Sequence, residues 1–293
     1  MEIDIGFLST YLLNPSNRIY WLFLLISVFV SIVYLYFYPR QKRLILNKKL
    51  WLHKSCILDY KYFLVIFLIK LFLITPIIFS VNIVSSEVNY FLMDNFGIHR
   101  VYGFSNLQIM LSLSFSVFVF SDLTRYLLHR FMHKNKYLWK IHKVHHSAKV
   151  LNPLTFYRIH PLESLLFGLR YSLSYGVIIG IFSYFFGANI SIFQIMGVFS
   201  IGFIFNIALN NLRHSHIKIG YPKFLERIFI SPKQHQIHHD RANNNKNYGG
   251  NLAIWDYIFN SLQFSKNIKN MHFGLNELEH KKFNTILNLL TIK

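Results

Sequence analysis

Five stretches of this chain are apolar over membrane-spanning length, and they constrain its fold more than any other feature. A hydrocarbon core about 30 Å thick is crossed by roughly 20 residues of apolar helix. The stretches are Ile19 to Tyr38, Tyr62 to Val84, Leu107 to Leu128, Leu165 to Phe186 and Ile190 to Leu212. The second contains Lys70 and Pro76, the third ends with Asp122 and Arg125, and the fourth starts near Arg170. Only Gly187-Ala188-Asn189 separates the last two, which predicts a helical hairpin in the membrane. Charged residues are 15% of the 293 and hydrophobic ones 53%. That balance excludes disorder, and the single cysteine, Cys56, excludes a disulfide scaffold. The first stretch is not read as a cleaved signal, because Glu2 and Asp4 precede it and it is too long. The predicted fold is all-α, a polytopic membrane helical bundle of about five spans with a cytoplasmic histidine-rich cap.

The basic residues set an orientation. Residues 39–61 hold seven Lys or Arg, 129–163 hold seven and 213–293 hold twelve, whereas 85–106 hold only Arg100. Five spans with the N-terminus outside put all three basic segments on the cytoplasmic face, as the positive-inside rule requires. The formal net charge of +19 therefore marks topology. No basic-aromatic repeat or DNA-binding motif accompanies it, so no nucleic-acid partner is expected. Lys70 and Arg170 are read as snorkelling or locally paired. The apolar stretch at the C-terminal end, Ile286 to Ile292, is too short to span and could lie on the membrane surface.

Eleven of the 15 histidines fall between His129 and His239, all in the segments assigned to one face. Eight form three groups: His129 and His133 as H-x-x-x-H, then His142, His145 and His146, and His235, His238 and His239, each as H-x-x-H-H. Residues three and four apart share a helical face. Three such faces could converge on one place, and eight imidazoles exceed what one metal takes, so two metals are the economical reading. Imidazole suits iron, copper, nickel and zinc alike. One such pair is commonly coincidence; the repeated H-x-x-H-H is not. His160 and His214 could complete the coordination or orient a ligand, and the role of His216 stays open. A membrane metal-binding or metal-transport protein is the alternative class, but it would place ligands at mid-membrane.

Asp122, Arg125, Tyr126, His129 and His133 share one helical face. Asp122 either pairs with Arg125 or accepts a hydrogen bond from a ligating imidazole; Glu163 and Asp240 could do the latter too. Asp122, Tyr126 and Glu163 are the candidate catalytic residues.

The chain resembles the fatty acid hydroxylase/sterol desaturase superfamily. The likeness runs from Asp122 to Phe259. It is carried by Asp122-x-x-x-Tyr126-x-x-His129-Arg130-x-x-His133 and Trp139-x-x-His142-x-x-His145-His146-Ser147, then by Arg158-x-His160-Pro161-x-Glu163. Ser231-Pro232-x-x-His235-x-x-His238-His239, Asn247-Tyr248-Gly249 and Trp255-Asp256-x-x-Phe259 complete it. Ser231 stands where threonine is usual, Asn260 where glycine is common, and His214-Ser215-His216 where H-x-N is frequent.

The resemblance implies a non-haem centre of two iron ions that activates dioxygen and hydroxylates or desaturates a C–H bond of a membrane lipid. It implies NAD(P)H-derived electrons through a reductase and a carrier, a b-type cytochrome or ferredoxin-like protein. The expected division is an N-terminal membrane region with two spans (1–106), a catalytic domain (107–262) and a polar C-terminal tail (263–293). A lipid tail is expected to enter between Phe and Tyr residues of spans three to five. Sterol, fatty acid, sphingoid lipid, alkylglycerol and carotenoid all remain open as substrates.

Overall fold

The computed structural model describes residues 12–78, 80–187, 190–195, 198–207 and 210–291. It is helical except for one short antiparallel pair, β1 (Gln194–Ile195) with β2 (Val198–Phe199). Among the described residues three helical stretches are long and apolar enough to cross a membrane: Lys54–Phe96, Asn106–Lys134 and Pro161–Phe186. Their outer surfaces leave large apolar side chains bare, such as Phe72, Leu73, Phe91 and Phe115. Water does not tolerate a belt of that kind, but acyl chains do.

Helix α1 is Trp21–Phe37. Helix α2, Lys54–Ile69, passes through a π turn at Lys70–Ile74 and a 3-10 turn at Thr75–Ile77. Pro76 has no N–H to continue the ladder, and the chain restarts as α3, Val81–Phe96, capped by Ser80. Helix α4 is Asn106–Lys134, opened by a capping box of Ser105 and Gln108. Asn135 ends α4 and caps α5, Lys136–His146, so a single residue joins two histidine-bearing helices. Helix α6 is Pro161–Phe186.

Glycines set how closely α6 approaches its neighbour. A Cβ at Gly168 would strike Ile78, one at Gly176 would strike Val84, and one at Gly180 would meet the Ser85 carbonyl at 2.6 Å. Both numbers rise together, so α6 runs parallel to the Ile78–Val88 stretch. Small residues allow this close approach in lipid, where burial alone drives no association. Helix α4 runs antiparallel to both: the loop before it bonds Val101 N–H to the Phe185 carbonyl. Lys54, Lys134 and Pro161 therefore mark one end of the bundle, and the basic segments gather there.

The first expected span forms α1, an apolar helix of 17 residues, shorter than the three stretches above. Arg18 lies 3.9 Å over the Phe156 ring, which is 6.1 Å from His214, while Trp51 packs on His216. Arg18, before α1, and Trp51, 14 residues after it, thus both lie beside the histidines. The expected outside N-terminus falls on residues 1–11, which lie outside the described residues.

The fifth expected span is not one helix. The chain returns through β1, β2, α7 (Ser200–Ile207) and a 3-10 turn at Asn210–His214. Phe193 N–H donates to Ser114 Oγ at 2.8 Å, and Asn211 donates to the Arg18 carbonyl at 3.0 Å. Irregular backbone at such depth is tolerated only where protein satisfies it. The connecting Ala188 and Asn189 of the expected hairpin lie outside the described residues.

In the C-terminal stretch Leu289, in the short helix Ile286–Thr291, is fully buried in a core with Tyr62, Ile66, Val144 and Phe283. Leu289 therefore packs into the protein while Leu287 stays exposed; Ile292 lies outside the described residues.

Candidate metal centre

Helices α4 and α5 and helix α8, Pro232–His238, bring the three histidine motifs together. Ser231 and Gln234 form the capping box that starts α8, with Pro232 at its first position. Serine serves that cap as well as threonine does, which accounts for the departure at 231. Two groups result. His129, His133, His142, His146 and His238 form one; His145, His214, His235 and His239 form the other. Within each, one ring nitrogen per residue lies within 4.8 Å of all the rest.

Hydrogen bonds fix which nitrogen faces inward. His129 Nδ1 donates to the Tyr248 carbonyl at 2.7 Å, His145 Nδ1 to the Arg158 carbonyl at 3.2 Å, and His238 Nδ1 to the Lys246 carbonyl at 2.8 Å. His142 Nδ1 donates to Glu163 Oε1 at 2.9 Å. Carbonyl and carboxylate oxygens only accept, so in these four rings Nε2 carries a bare lone pair. Burial holds His142, His145 and His238 down to about 3, so they are neutral at ordinary pH.

The inward nitrogens then crowd one another. His129 Nε2 and His142 Nε2 are 3.1 Å apart. Both lack a proton, so they cannot hydrogen-bond, and two facing lone pairs repel. In the second group, His214 Nε2 is 3.3, 3.1 and 3.0 Å from Nε2 of His145, His239 and His235. Nitrogens sharing one ion at about 2.1 Å sit about 3.0–3.4 Å apart. His133 Nε2, both ring nitrogens of His146 and His238 Nε2 are buried with no hydrogen-bond partner among the described residues. These residues fit two transition-metal ions.

A cavity of about 390 Å³ opens beside both groups and is touched by His129, His142, His145, His214 and His235. Ile74, Ile78, Phe167, Gly168 and Tyr171 form its apolar wall. The wall is shared between α6, which is the fourth expected span, and the α2–α3 junction, which is the second. The expected groove between spans three to five is thereby corrected: span two supplies one side of it. A second cavity of about 440 Å³ lies further along α6, and Tyr171 borders both.

The remaining sequence candidates divide. Glu163 lines the cavity; its Oε1 accepts from His142 Nδ1, and its Oε2 is buried without a partner among the described residues. His214, one of the two uncertain histidines, sits at the centre of the second group. His160 joins neither group. Its Nδ1 caps α6 by accepting from Leu162 N–H at 3.1 Å, and its Nε2 donates to the Leu290 carbonyl at 2.9 Å. The His-Pro pair at a helix start was the signal for that cap.

Asp122 attracts Arg125 without a direct ion pair among the described residues, and it bonds no imidazole there. It accepts from Asn251 N–H, Leu252 N–H and Trp255 Nε1 at 2.8, 3.1 and 3.0 Å, and so anchors the 250s loop. Tyr126 likewise faces that segment, bonding Ser261 Oγ at 2.9 Å and stacking on Phe259. Asp256 accepts from Tyr248 and Gly249 N–H and from Ser261, and burial raises it to about 6. Asp240 binds His272 N–H and Asn243 rather than a ligand. His216 packs on Trp51 outside both groups. Asn260 has φ +57°. Glycine is common there because the position is left-handed, and asparagine is the next most tolerant residue.

A residue that sequence reasoning missed is Asp59. It pairs with Arg158 at 2.7 Å, both fully buried, and also accepts from Asn152 and Thr155 at 2.7 Å. Its signal was the one acidic residue in the helix Lys54–Ile69, at the edge of the second apolar stretch.

The fatty acid hydroxylase family model matches residues 114–261, which enclose the expected Asp122 to Phe259. Ornithine lipid hydroxylase of Rhizobium tropici is 30% identical over 153 residues, 52% of this chain and 40% of its own. Alkylglycerol monooxygenase of Homo sapiens is 28% identical over 151 residues, 51% of this chain and 30% of its own. Lathosterol oxidase of Mus musculus is 25% identical over 205 residues, 68% of this chain and 63% of its own. The chain thus spans less than half the length of the first two. No solved structure matches it. With half of its length under the family model and the histidine motifs assembled on that half, the chain belongs to the fatty acid hydroxylase family.

Proposed function

We propose that the chain is a membrane lipid oxygenase whose two histidine groups hold a di-iron centre at the cytoplasmic face. The observation that carries this reading is the pair of proton-free nitrogens of His129 and His142, facing each other at 3.1 Å beside a cavity with an apolar wall. Bound by these nine histidines, the iron pair supplies activation of dioxygen for attack on an unactivated C–H bond. The protein supplies everything else. Tyr248, Arg158 and Lys246 carbonyls and the Glu163 carboxylate lock four rings in the ligating tautomer. Ile74, Ile78 and Phe167 receive the lipid and exclude water from the reacting carbon. Glu163 Oε2 stands at the cavity as a proton acceptor for a polar group of the substrate or a water. Electrons come from NAD(P)H through a reductase and a b-type cytochrome or ferredoxin-like carrier, which docks on the basic face.

Lipid mass spectrometry of cells with and without the protein tests this. A lipid gaining one oxygen marks a hydroxylase, and one losing two hydrogens a desaturase. An unchanged lipid profile with metal-loaded protein and a working electron donor ends the proposal.

Glu163→Gln keeps the shape but removes the charge behind His142. Metal affinity should fall about 10- to 100-fold, as for other partners of ligating imidazoles. A competitive chelator titration reads it; an unaltered affinity would make Glu163 a mere packing group.

A further inference from the structure

The same cavity carries an unbalanced charge. Apart from the three basic segments and Arg100, the chain has four basic residues: Arg18, Lys70, Arg125 and Arg170. All four line the cavity, and Arg213 joins them. Arg170 pairs locally, as expected, with Ser121 and Thr124, whereas Lys70 lines the cavity. None of the five makes an ion pair among the described residues, where the pairs are His142–Glu163, Lys143–Glu279 and Arg158–Asp59.

Arg170 and Arg213 are partly satisfied. Arg170 donates to the Ser121 carbonyl at 2.7 Å, and Arg213 to the Gly250 carbonyl. The side chains of Arg18, Lys70 and Arg125 make no hydrogen bond among the described residues; they lie against the rings of Phe156, Tyr157 and Phe167. Two carboxylates lie near these five cations, Asp122 beside Arg125 and Glu163 beside Arg125 and Lys70, too few to balance them. Asp122 is held by the 250s loop, and one oxygen of Glu163 by His142. Cations gathered in an apolar, protein-walled space are costly without a counter-charge, and metal ions on the neighbouring histidines add positive charge. Among the described residues that line the cavity only Glu163 is acidic, which leaves the cluster short of negative charge.

We propose that Arg18, Lys70 and Arg125 bind an anionic headgroup, a phosphate or carboxylate, on the lipid that this cavity admits. The assignment rests on the oxygenase reading for its chemistry and adds the class of substrate and the region oxidised. Arg125 lies one helical turn from His129, about 5–6 Å between Cβ atoms. The headgroup is thus held close to the metal ligands, and oxidation falls near the head of the lipid. The tail leaves along Ile78 and past Tyr171 toward the second cavity.

The test uses the full chain in nanodiscs of neutral phosphatidylcholine, with competition against a fluorescent acyl probe. Dodecyl phosphate should displace the probe at a concentration about 10- to 100-fold below that of dodecanol, the span of charge-assisted hydrogen bonds. Lys70→Gln and Arg125→Gln should each remove about tenfold of that preference while dodecanol competes as before. Lys70 holds nothing in place by a hydrogen bond, so its variant keeps the test open if Arg125→Gln does not fold. Equal competition by the two probes, or a preference that survives both substitutions, overturns the proposal. Inorganic phosphate competing as well as dodecyl phosphate also overturns it, because the anion would then be a soluble one. The readout is binding without turnover. Its failure leaves the oxygenase reading intact, and failure to oxidise any lipid leaves the binding result intact.

Discussion

His145→Ala and His133→Ala should each abolish turnover, with losses beyond the about 10- to 100-fold typical of groups that only orient a ligand. Each should also lower metal content from two ions per chain toward one. The reasoning is geometric. His145 belongs to the group with His214, His235 and His239, and His133 to the group with His129, His142, His146 and His238. Removing one imidazole opens one group while leaving the other its full set. The fold should survive, because the motifs are set by caps and by the 250s loop rather than by ring-to-ring bonds. Asn135 still caps α5, and Ser231 still caps α8. The check is metal analysis of purified variants beside their oxidation rate. Full activity in either variant, or loss of both ions from each, would contradict two separately held metals.

The parts of this site that are local along the chain are legible in the amino-acid sequence. The spacing of His142, His145 and His146, and of His235, His238 and His239, repeats the pitch of a helix, and the chain forms helices there. Glu163 stands out because it follows His160-Pro161 at the mouth of an apolar stretch. What a local pattern misses is information held at long range. His160 looks like a ligand by its neighbours, yet its ring is consumed by a cap and by Leu290, 130 residues away. Arg170 reads as a charge to be hidden at a membrane edge until α2, α6 and the 210s loop enclose one space. The broken return between Ile190 and Leu212 reads as apolar and continuous because hydropathy counts side chains and ignores where backbone N–H groups find partners. Phe193 finds Ser114, which no local pattern announces. Gly176 and Gly180 carry a small-x-x-x-small spacing, but only the facing Val84 and Ser85 show what that spacing is for.

Arg158→Met should cost about 3–5 kcal/mol of stability, the penalty for stripping one partner from a buried ion pair. Arg158 is 1% exposed and Asp59 1%, with Nε to Oδ1 at 2.7 Å. Without the guanidinium, Asp59 keeps the bonds from Asn152 and Thr155 at Oδ2, but Oδ1 is left charged and dry. Asp59→Asn should be damaging in the same way, since it strands the guanidinium. Combining them should be milder than the sum, because two neutral groups of similar volume demand no counter-charge. Denaturation of the four proteins in one detergent measures this, and strict additivity would show that the pair is not coupled. The pair also reaches the site. The Arg158 carbonyl holds His145 Nδ1, and the Asp59 contacts hold the turn from Asn152 to Thr155 just before it. A residue in the motif-free N-terminal third therefore helps to aim a metal ligand. Arg158→Met should weaken metal binding in the four-histidine group more than in the five-histidine group.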